Sequence, residues 1–395
     1  MFLHITIIAA IITLYVIARA VFPMKTHWGV KLVLAGIAAM AAFKFHVFYM
    51  IEGENFFTPN LPAEVVWSGC WLFCAVFGFA MVLLATDIIR LPLHLILRLT
   101  GCKPSKRNWR TCNNYINLVL LLVTLGITGW GTWCGIQVPT PNPHTIVLNS
   151  IPNEARPIRL VQLTDLHADS TKNADFYREI VQRTNLVKPD VVVITGDFAD
   201  GSVQDCGAAL APLADLKAPM GVYAVTGNHD YFWGCSEWLH YLESLGIRII
   251  NNQFVQLRSE PEGEWPPKEL CLIGLPDPMA RRIGDKPADL STLIPPPEQR
   301  FGPLVLLAHQ PRIADVAAGH GVDLQLSGHT HGGQFPGLQQ LVARMNNGYA
   351  HGLYSIGNMQ LFVAPGTSLW TPVCLRLGVP AEISVLNLYP PDKKQ

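Results

Sequence analysis

Charge is scarce in this chain. Only 15% of its 395 residues are charged, where about a quarter is usual for a soluble protein. Neither sign dominates, since 29 Lys+Arg face 29 Asp+Glu. Bases are in short supply over residues 145–395, which hold 19 Lys+Arg against 25 Asp+Glu, a balance of −6. That excludes the net-positive surface nucleic-acid binding requires, so no nucleic-acid partner is expected. None of the nine cysteines stands in a C-x-x-C pair. Cys70, Cys74 and Cys134 lie in apolar stretches and read as packing residues. Cys206, Cys235, Cys271 and Cys374 lie in the polar part; a disulfide is open to them in an oxidising compartment, but no pairing is specified. There is no internal repeat and no low-complexity tract.

What the chain has in excess is apolar residues, half of the total, concentrated before about residue 140. Four segments are long enough to span a bilayer, which takes about 20 residues: roughly Phe2–Phe22, Val30–Ile51, Val65–Ile89 and Tyr115–Ile136. The first lacks a basic start and has three more spans behind it, so a cleaved signal peptide is not expected. The segment Arg90–Arg110 carries Arg90, Arg98, Lys103, Lys106, Arg107 and Arg110 and no acid, whereas Glu52–Glu64 carries three glutamates and no base. Basic loops stay cytoplasmic. Lys25 in the first connection agrees, and both termini are then expected outside the cytoplasm. Arg19 reads as snorkelling at a helix end. Lys44 and His46 read as snorkelling or helix packing rather than a transport path. Leu91–Leu99 is too short to span and is expected along the inner interface. The organisation expected is a transmembrane region over 1–136, a linker over 137–149 and a polar domain over 150–395. Gln137–His144, with three prolines in eight residues, reads as an extended spacer.

Beyond the linker, strands and helices alternate. Ile158–Leu163, Val191–Thr195, Val222–Val225, Leu270–Ile273, Pro303–Ala308 and Leu324–Leu326 are short, apolar and rich in branched side chains, as buried strands are. Asn173–Val187, Asp205–Leu216, Ser236–Leu245 and Ile313–Ala318 read as intervening helices. Pro261–Lys268 reads as a loop, and Leu361–Val363 and Glu382–Leu388 as further strands. The pattern predicts an α/β layered domain with a largely buried sheet.

Four polar motifs follow predicted strands: Asp165-Leu166-His167, Gly196-Asp197, Gly227-Asn228-His229-Asp230 and Gly328-His329-Thr330-His331, with His309 after a fifth strand. Ligands of α/β folds gather at strand carboxyl ends. Asp165 and His167 are two apart, as are His329 and His331, so in extended chain each pair points one way. Glycine before a ligand permits a tight turn and close approach. The set supplies two adjacent divalent metals. Carboxylate, amide and imidazole without thiolate suit Mn, Fe or Zn rather than a structural zinc, with Mn favoured. Two dications would offset about four of the acidic charges. The other eight histidines (His4, His27, His46, His94, His144, His240, His320 and His351) lack such context.

The order D-x-H, GD, GNHD, H, GHxH resembles the calcineurin-like metallophosphoesterases. GHTHGGQ at Gly328–Gln334, and the tail Leu353–Leu388 with its GTSLWTP, Arg376 and Ala-Glu-Ile, resemble the membrane-associated bacterial branch. Ala381 departs from it, since that branch more often has proline there. The resemblance spans about residues 150–390, with the spans outside it, and implies a layered α/β/β/α sandwich; with the hydropathy and loop charge above, the expectation is that sandwich behind a four-helix transmembrane region, in a bacterial inner membrane with the catalytic domain extracytoplasmic. It implies one metal on Asp165, His167 and His331, a second on Asn228, His309 and His329, and Asp197 bridging both. His229 would face the phosphate, with Asp230 orienting its ring. The implied reaction is phosphoester hydrolysis by a water bridging the metals. Substrates in view are phospholipids or other envelope phosphoesters, since Tyr231, Phe232, Trp233, Leu369 and Trp370 offer an apolar lip. A pyrophosphatase acting on a nucleotide-linked lipid precursor, such as a UDP-sugar lipid, and a non-catalytic membrane sensor are the alternatives.

Overall fold

Apolar residues exposed all round a helix mark a lipid-facing surface, and the first part of the chain is built that way. The structure is a computed structural model that describes residues 2–100, 106–259 and 266–391. Lys103 of the basic loop and residues 261–265 of the expected loop Pro261–Lys268 lie outside them. The chain divides into two units: Met1–Cys134 with Thr371–Leu375, and Gly135–Trp370 with Arg376 onward.

The first unit is helical. α1 (Phe2–Val16) runs on through a π-helical turn at Ile17–Val21; α2 (Trp28–Ala42) and α3 (Lys44–Glu52) follow, then α4 (Ala63–Leu99) and α5 (Lys106–Ile136). Among the described residues three helical stretches are long and apolar enough to cross a membrane, and four if α2 and α3 make one span. Those two are bent by 68° at Phe43, so the second expected span is broken. Leu91–Leu99 continues α4 through Pro92. Arg19 pairs with Asp87 at 2.7 Å rather than snorkelling alone, and Tyr15 donates to the same carboxylate at 2.9 Å. Lys44 is buried; its Nζ donates to the Pro372 carbonyl at 3.1 Å and lies 4.0 Å from the centre of the Phe45 ring. Cys374, expected in the polar domain, belongs here, with Sγ 3.3 Å from Thr132 Oγ1.

The second unit contains two six-stranded sheets. Its strands are β1 (Thr140–Val147), β2 (Ile158–Leu163), β3 (Val191–Thr195), β4 (Val222–Val225), β5 (Arg248–Ile249), β6 (Gln253–Arg258), β7 (Glu269–Leu275), β8 (Leu304–Ala308), β9 (Leu324–Ser327), β10 (Gly352–Ile356), β11 (Met359–Val363) and β12 (Glu382–Tyr389). One sheet runs β1-β12-β2-β3-β4-β5 and the other β10-β11-β9-β8-β7-β6. Strands β2, β3 and β4 are mutually parallel, as are β7, β8, β9 and β11.

Strand periodicity sorts the side chains into layers. In β3, Val191 and Val193 enter a core shared with Leu272, Leu307 and Leu326 of the other sheet. Val192 and Ile194 pack the opposite way, with Tyr177, Leu210 and Trp238 of α6 (Ala174–Leu186), α7 (Val203–Leu210) and α8 (Cys235–Ser244). On the far face of the second sheet, Leu304 and Leu306 meet Ala314 and Ala317. The result is the α/β/β/α sandwich, and each buried Val, Leu or Ile contributes about 1.5–3 kcal/mol. α6 shows the local logic: Asn173 caps it by accepting from Phe176 N, and Tyr177, Ile180, Val181 and Thr184 form its buried stripe.

The linker expectation is corrected here. Thr140–Val147 is a strand, paired parallel with β12 along its length. It is an edge, where only every second amide is needed for the ladder; Pro141 and Pro143 share one parity. Asn142 and His144 both bond the Glu382 carboxylate, at 2.5 and 3.0 Å. No disulfide joins the cysteines among the described residues.

Candidate metal centre

Loops leaving the carboxyl ends of β2, β3, β4, β8 and β9 carry every residue singled out in the motifs. The loops after β2 and β3 are zipped together: Asp165 N donates to Gly196 O at 3.0 Å, His167 N to Asp197 O at 3.0 Å and Ala168 N to Phe198 O at 2.9 Å. The second sheet joins through His329 N, which donates to the Asp165 carboxylate at 3.1 Å; within that sheet Gly328 N donates to His309 O at 2.9 Å.

The backbone is strained where it meets the chemistry. Asp165, His167, Asp197, His329 and His331 all have positive φ, between 44° and 69°, and make up five of nine such non-glycine residues described. A left-handed non-glycine residue costs on the order of 1–3 kcal/mol and persists only where its surroundings impose it. Glycine serves two purposes here. Gly196 needs its φ of +87°. At Gly227 and Gly328 the need is space: a Cβ would overlap Asp197 Oδ1 at the first, and Thr164 Oγ1 and Asp165 Oδ2 at the second.

Two groups of ligand atoms result. His167 Nε2 and His331 Nε2 are 3.1 Å apart, with Asp165 Oδ1 3.9 and 3.5 Å away respectively. His309 Nε2 lies 3.2 Å from Asp197 Oδ2, and His329 offers a nitrogen within 4.8 Å of both partners. Asp197 Oδ2 is also 3.7 Å from His167 Nε2, which places Asp197 between the groups. The donor set fits divalent cations. His309 Nδ1 donates to the Thr195 carbonyl at 2.7 Å and His167 Nδ1 to Asp200 at 3.0 Å, so in the neutral form of both rings Nε2 is the nitrogen available to a metal. His309 Nε2 and Asn228 Oδ1 are buried without a hydrogen-bond partner. Such atoms are rare in a native interior and call for a ligand.

Charge makes the same demand. Asp165, Asp197, Asp200 and Asp230 are all buried, and burying several carboxylates is costly without cations. Burial pushes the Asp165 carboxyl up, against the pull of His309. Burial also raises Asp200, but the His167 and His229 imidazoles outweigh it and hold the group well below the carboxylate range. Burial and neighbouring His309 pull His329 down to about 3, keeping that ring neutral. Burial lowers His229, yet Asp200 and Asp197 outweigh it and hold its pKa at about 9.

His229 is oriented differently from expectation. Its Nδ1 lies 2.6 Å from Asp200 Oδ1, so Asp200, not Asp230, sets the ring. Asp230 turns inward and accepts from the amides of Gly227, Phe198 and Asp197 at 2.7, 2.8 and 3.1 Å. It pins the β3 and β4 loops together; burial, with Asp197 adding, pushes its carboxyl up to about 7. Asp200 was not among the expected residues. Its only sequence signal is its place three residues after Asp197.

The expected lip is also redrawn. Tyr231 and Leu369 are core residues, and the Tyr231 hydroxyl is 2.9 Å from Thr226 Oγ1. Phe232 is exposed and Trp370 half-buried; their rings stand edge-on to His229 at 5.7 and 5.9 Å.

Comparison with known proteins agrees with this geometry. The model of the calcineurin-like phosphoesterase family matches residues 158–333. An uncharacterized metallophosphoesterase of Helicobacter pylori (strain J99 / ATCC 700824) is 32% identical over 293 residues, which are 73% of this chain and 74% of that protein. A transmembrane protein with metallophosphoesterase domain from Danio rerio is 33% identical over 278 residues, 69% of this chain and 62% of that one. The crystal structure of calcineurin-like phosphoesterase YfkN from Bacillus subtilis aligns with 54% of this chain and 82% of its own, at 17% identity and a TM-score of 0.35. With its carboxylates and imidazoles gathered at five strand ends, the chain belongs to the calcineurin-like phosphoesterase family and is a metal-dependent phosphoesterase.

Proposed function

We propose that the protein hydrolyses phosphoesters with two divalent metals, manganese favoured. One is held by Asp165, His167 and His331, the other by Asn228, His309 and His329, and Asp197 is shared. The observation that carries this reading is the pair of buried ligand atoms without a hydrogen-bond partner, Asn228 Oδ1 and His309 Nε2, the second 3.2 Å from the Asp197 carboxylate. When bound, the metals would supply Lewis acidity to the phosphoryl oxygens and lower the pKa of an attacking water. The chain does the rest. Asp200 fixes the His229 ring through Nδ1, so Nε2–H is the group that donates to the phosphoryl or leaving-group oxygen. The Asp200 carboxylate beside the ring favours that protonated form.

The substrate class we propose is a phosphoester with an apolar alcohol, such as a phospholipid or another envelope phosphoester. Support comes from the aromatic edges of Phe232 and Trp370 beside His229 and from the spanning helices in the same chain. We place the domain outside the cytoplasm of a bacterial inner membrane. The broken second span does not alter that, because orientation is set by the basic connection before α5 and by α5 itself. A C-terminal alkaline phosphatase fusion tests it: activity in the periplasm is expected, and a cytoplasmic report would overturn it. The substrate test is the detergent-purified protein with Mn²⁺, screened for release of phosphate or the phosphorylated head group from phospholipids and of nucleoside monophosphate from nucleotide-linked lipids. Release from phospholipids supports the reading; release from nucleotide-linked lipids alone replaces it with the pyrophosphatase.

A further inference from the structure

Arg376 is only 2% exposed, and among the described residues no carboxylate pairs with it. A buried guanidinium without a counter-ion is expensive unless its donors are satisfied. Its Nη1 and Nη2 donors go to backbone carbonyls at three places, while Nε is buried without a hydrogen-bond partner. Nη1 donates to His331 O at 3.0 Å and Pro365 O at 2.7 Å; Nη2 donates to Ser368 O at 2.6 Å and lies 3.3 Å from His331 Nδ1.

Two of those carbonyls belong to the segment after β11, residues 365–368, which also holds the Asp165 loop. Thr367 N donates to Thr164 O at 2.8 Å, Ser368 N to Asp165 O at 3.2 Å, and Thr164 N to Thr367 Oγ1 at 3.1 Å. Asp165 and His331 come from different sheets, and both sit in strained left-handed backbone. The 365–368 segment braces the first, and Arg376 ties that brace to the second. Gly366, at φ +92°, leaves the junction open: a Cβ there would sit 3.1 Å from both Arg376 Nη2 and His331 Nδ1.

We propose that Arg376 is a positioning residue for the metal held by Asp165, His167 and His331, and not for the other metal. This rests on the two-metal reading above. It acts by fixing the His331 backbone through its carbonyl and the brace behind Asp165; groups that orient ligands alter metal affinity about 10- to 100-fold.

The test uses the full-length protein in detergent, titrated with Mn²⁺ while bound metal is counted, with circular dichroism as a folding check. Arg376→Lys and Arg376→Gln should keep one metal at wild-type affinity and weaken the other about 10- to 100-fold. Gly366→Ala, which crowds the same junction, should reproduce the pattern. Turnover should recover in part as Mn²⁺ is raised, which a merely structural lesion would not allow. Wild-type affinity for both metals in all three variants would overturn the proposal, as would equal weakening of both metals in variants with a native spectrum. If Arg376→Gln fails to fold, Gly366→Ala decides by the same two outcomes. A wild-type protein that binds fewer than two metals would instead overturn the two-metal reading.

Discussion

The carboxylate of Asp200 joins His167 to His229, accepting from Nδ1 of the first at 3.0 Å and of the second at 2.6 Å. One side chain thus orients a metal ligand and the proton donor together. Asp200→Asn should lower metal affinity about 10- to 100-fold and slow turnover even at saturating metal. Asp200 is the largest of the charges that raise the His229 pKa, so its loss lowers that pKa. The active acid is the imidazolium, present below its pKa. The alkaline limb of the kcat–pH profile should therefore move to lower pH, and an unmoved limb would contradict the assignment.

Asp230 makes a contrasting prediction. Removing its carboxylate strands three buried amides, those of Gly227, Phe198 and Asp197. At about 1–3 kcal/mol for each unsatisfied donor, Asp230→Ala should cost at least about 3 kcal/mol. For a domain of this size that lowers Tm by roughly 6–12 °C. His229→Ala should leave Tm nearly unchanged. Differential scanning calorimetry separates the two, and a wild-type Tm for Asp230→Ala would return it to a purely catalytic role.

Gly227→Ala places a methyl group against Asp197 Oδ1. Asp197 is shared between the ligand groups, so the substitution should abolish binding of both metals, while an alanine at the open position Gly319 should do nothing. Metal counting after dialysis reads the result. Two metals retained in Gly227→Ala would mean that Asp197 is not shared.

Phe232 and Trp370 test the substrate class. Burying one apolar side chain is worth about 1.5–3 kcal/mol, so each alanine variant should lose roughly ten- to a hundredfold in kcat/KM toward a long-chain phosphoester. Neither should change hydrolysis of a short, water-soluble one. Equal losses on both substrates would remove the apolar lip from the account.

Strands buried on both faces, such as β3 and β8, were legible because uniform apolar runs leave little choice of structure. Edge strands were not. β1 hides behind its prolines, and β6 and β10 are short edges with half-polar patterns. The break at Phe43 left no mark in hydropathy, which reports what a segment touches and not its direction. The ligand motifs were legible because His, Asp and Asn have little packing use at strand ends. The partner of His229 was not, because it depends on how the β3 and β4 loops are joined, a matter of backbone amides around Asp230. Nor does any side chain announce that a carbonyl, Thr195 O, sets the His309 tautomer.

The central claim is that His229 works on the substrate while Asp165, His167, Asp197, Asn228, His309, His329 and His331 hold the metals. The most direct test measures bound metal and turnover together for His229→Ala, in detergent with Mn²⁺. The account predicts two metals at wild-type affinity with turnover reduced by about 10²–10⁴. Metal lost in proportion to activity would make His229 a ligand and contradict it.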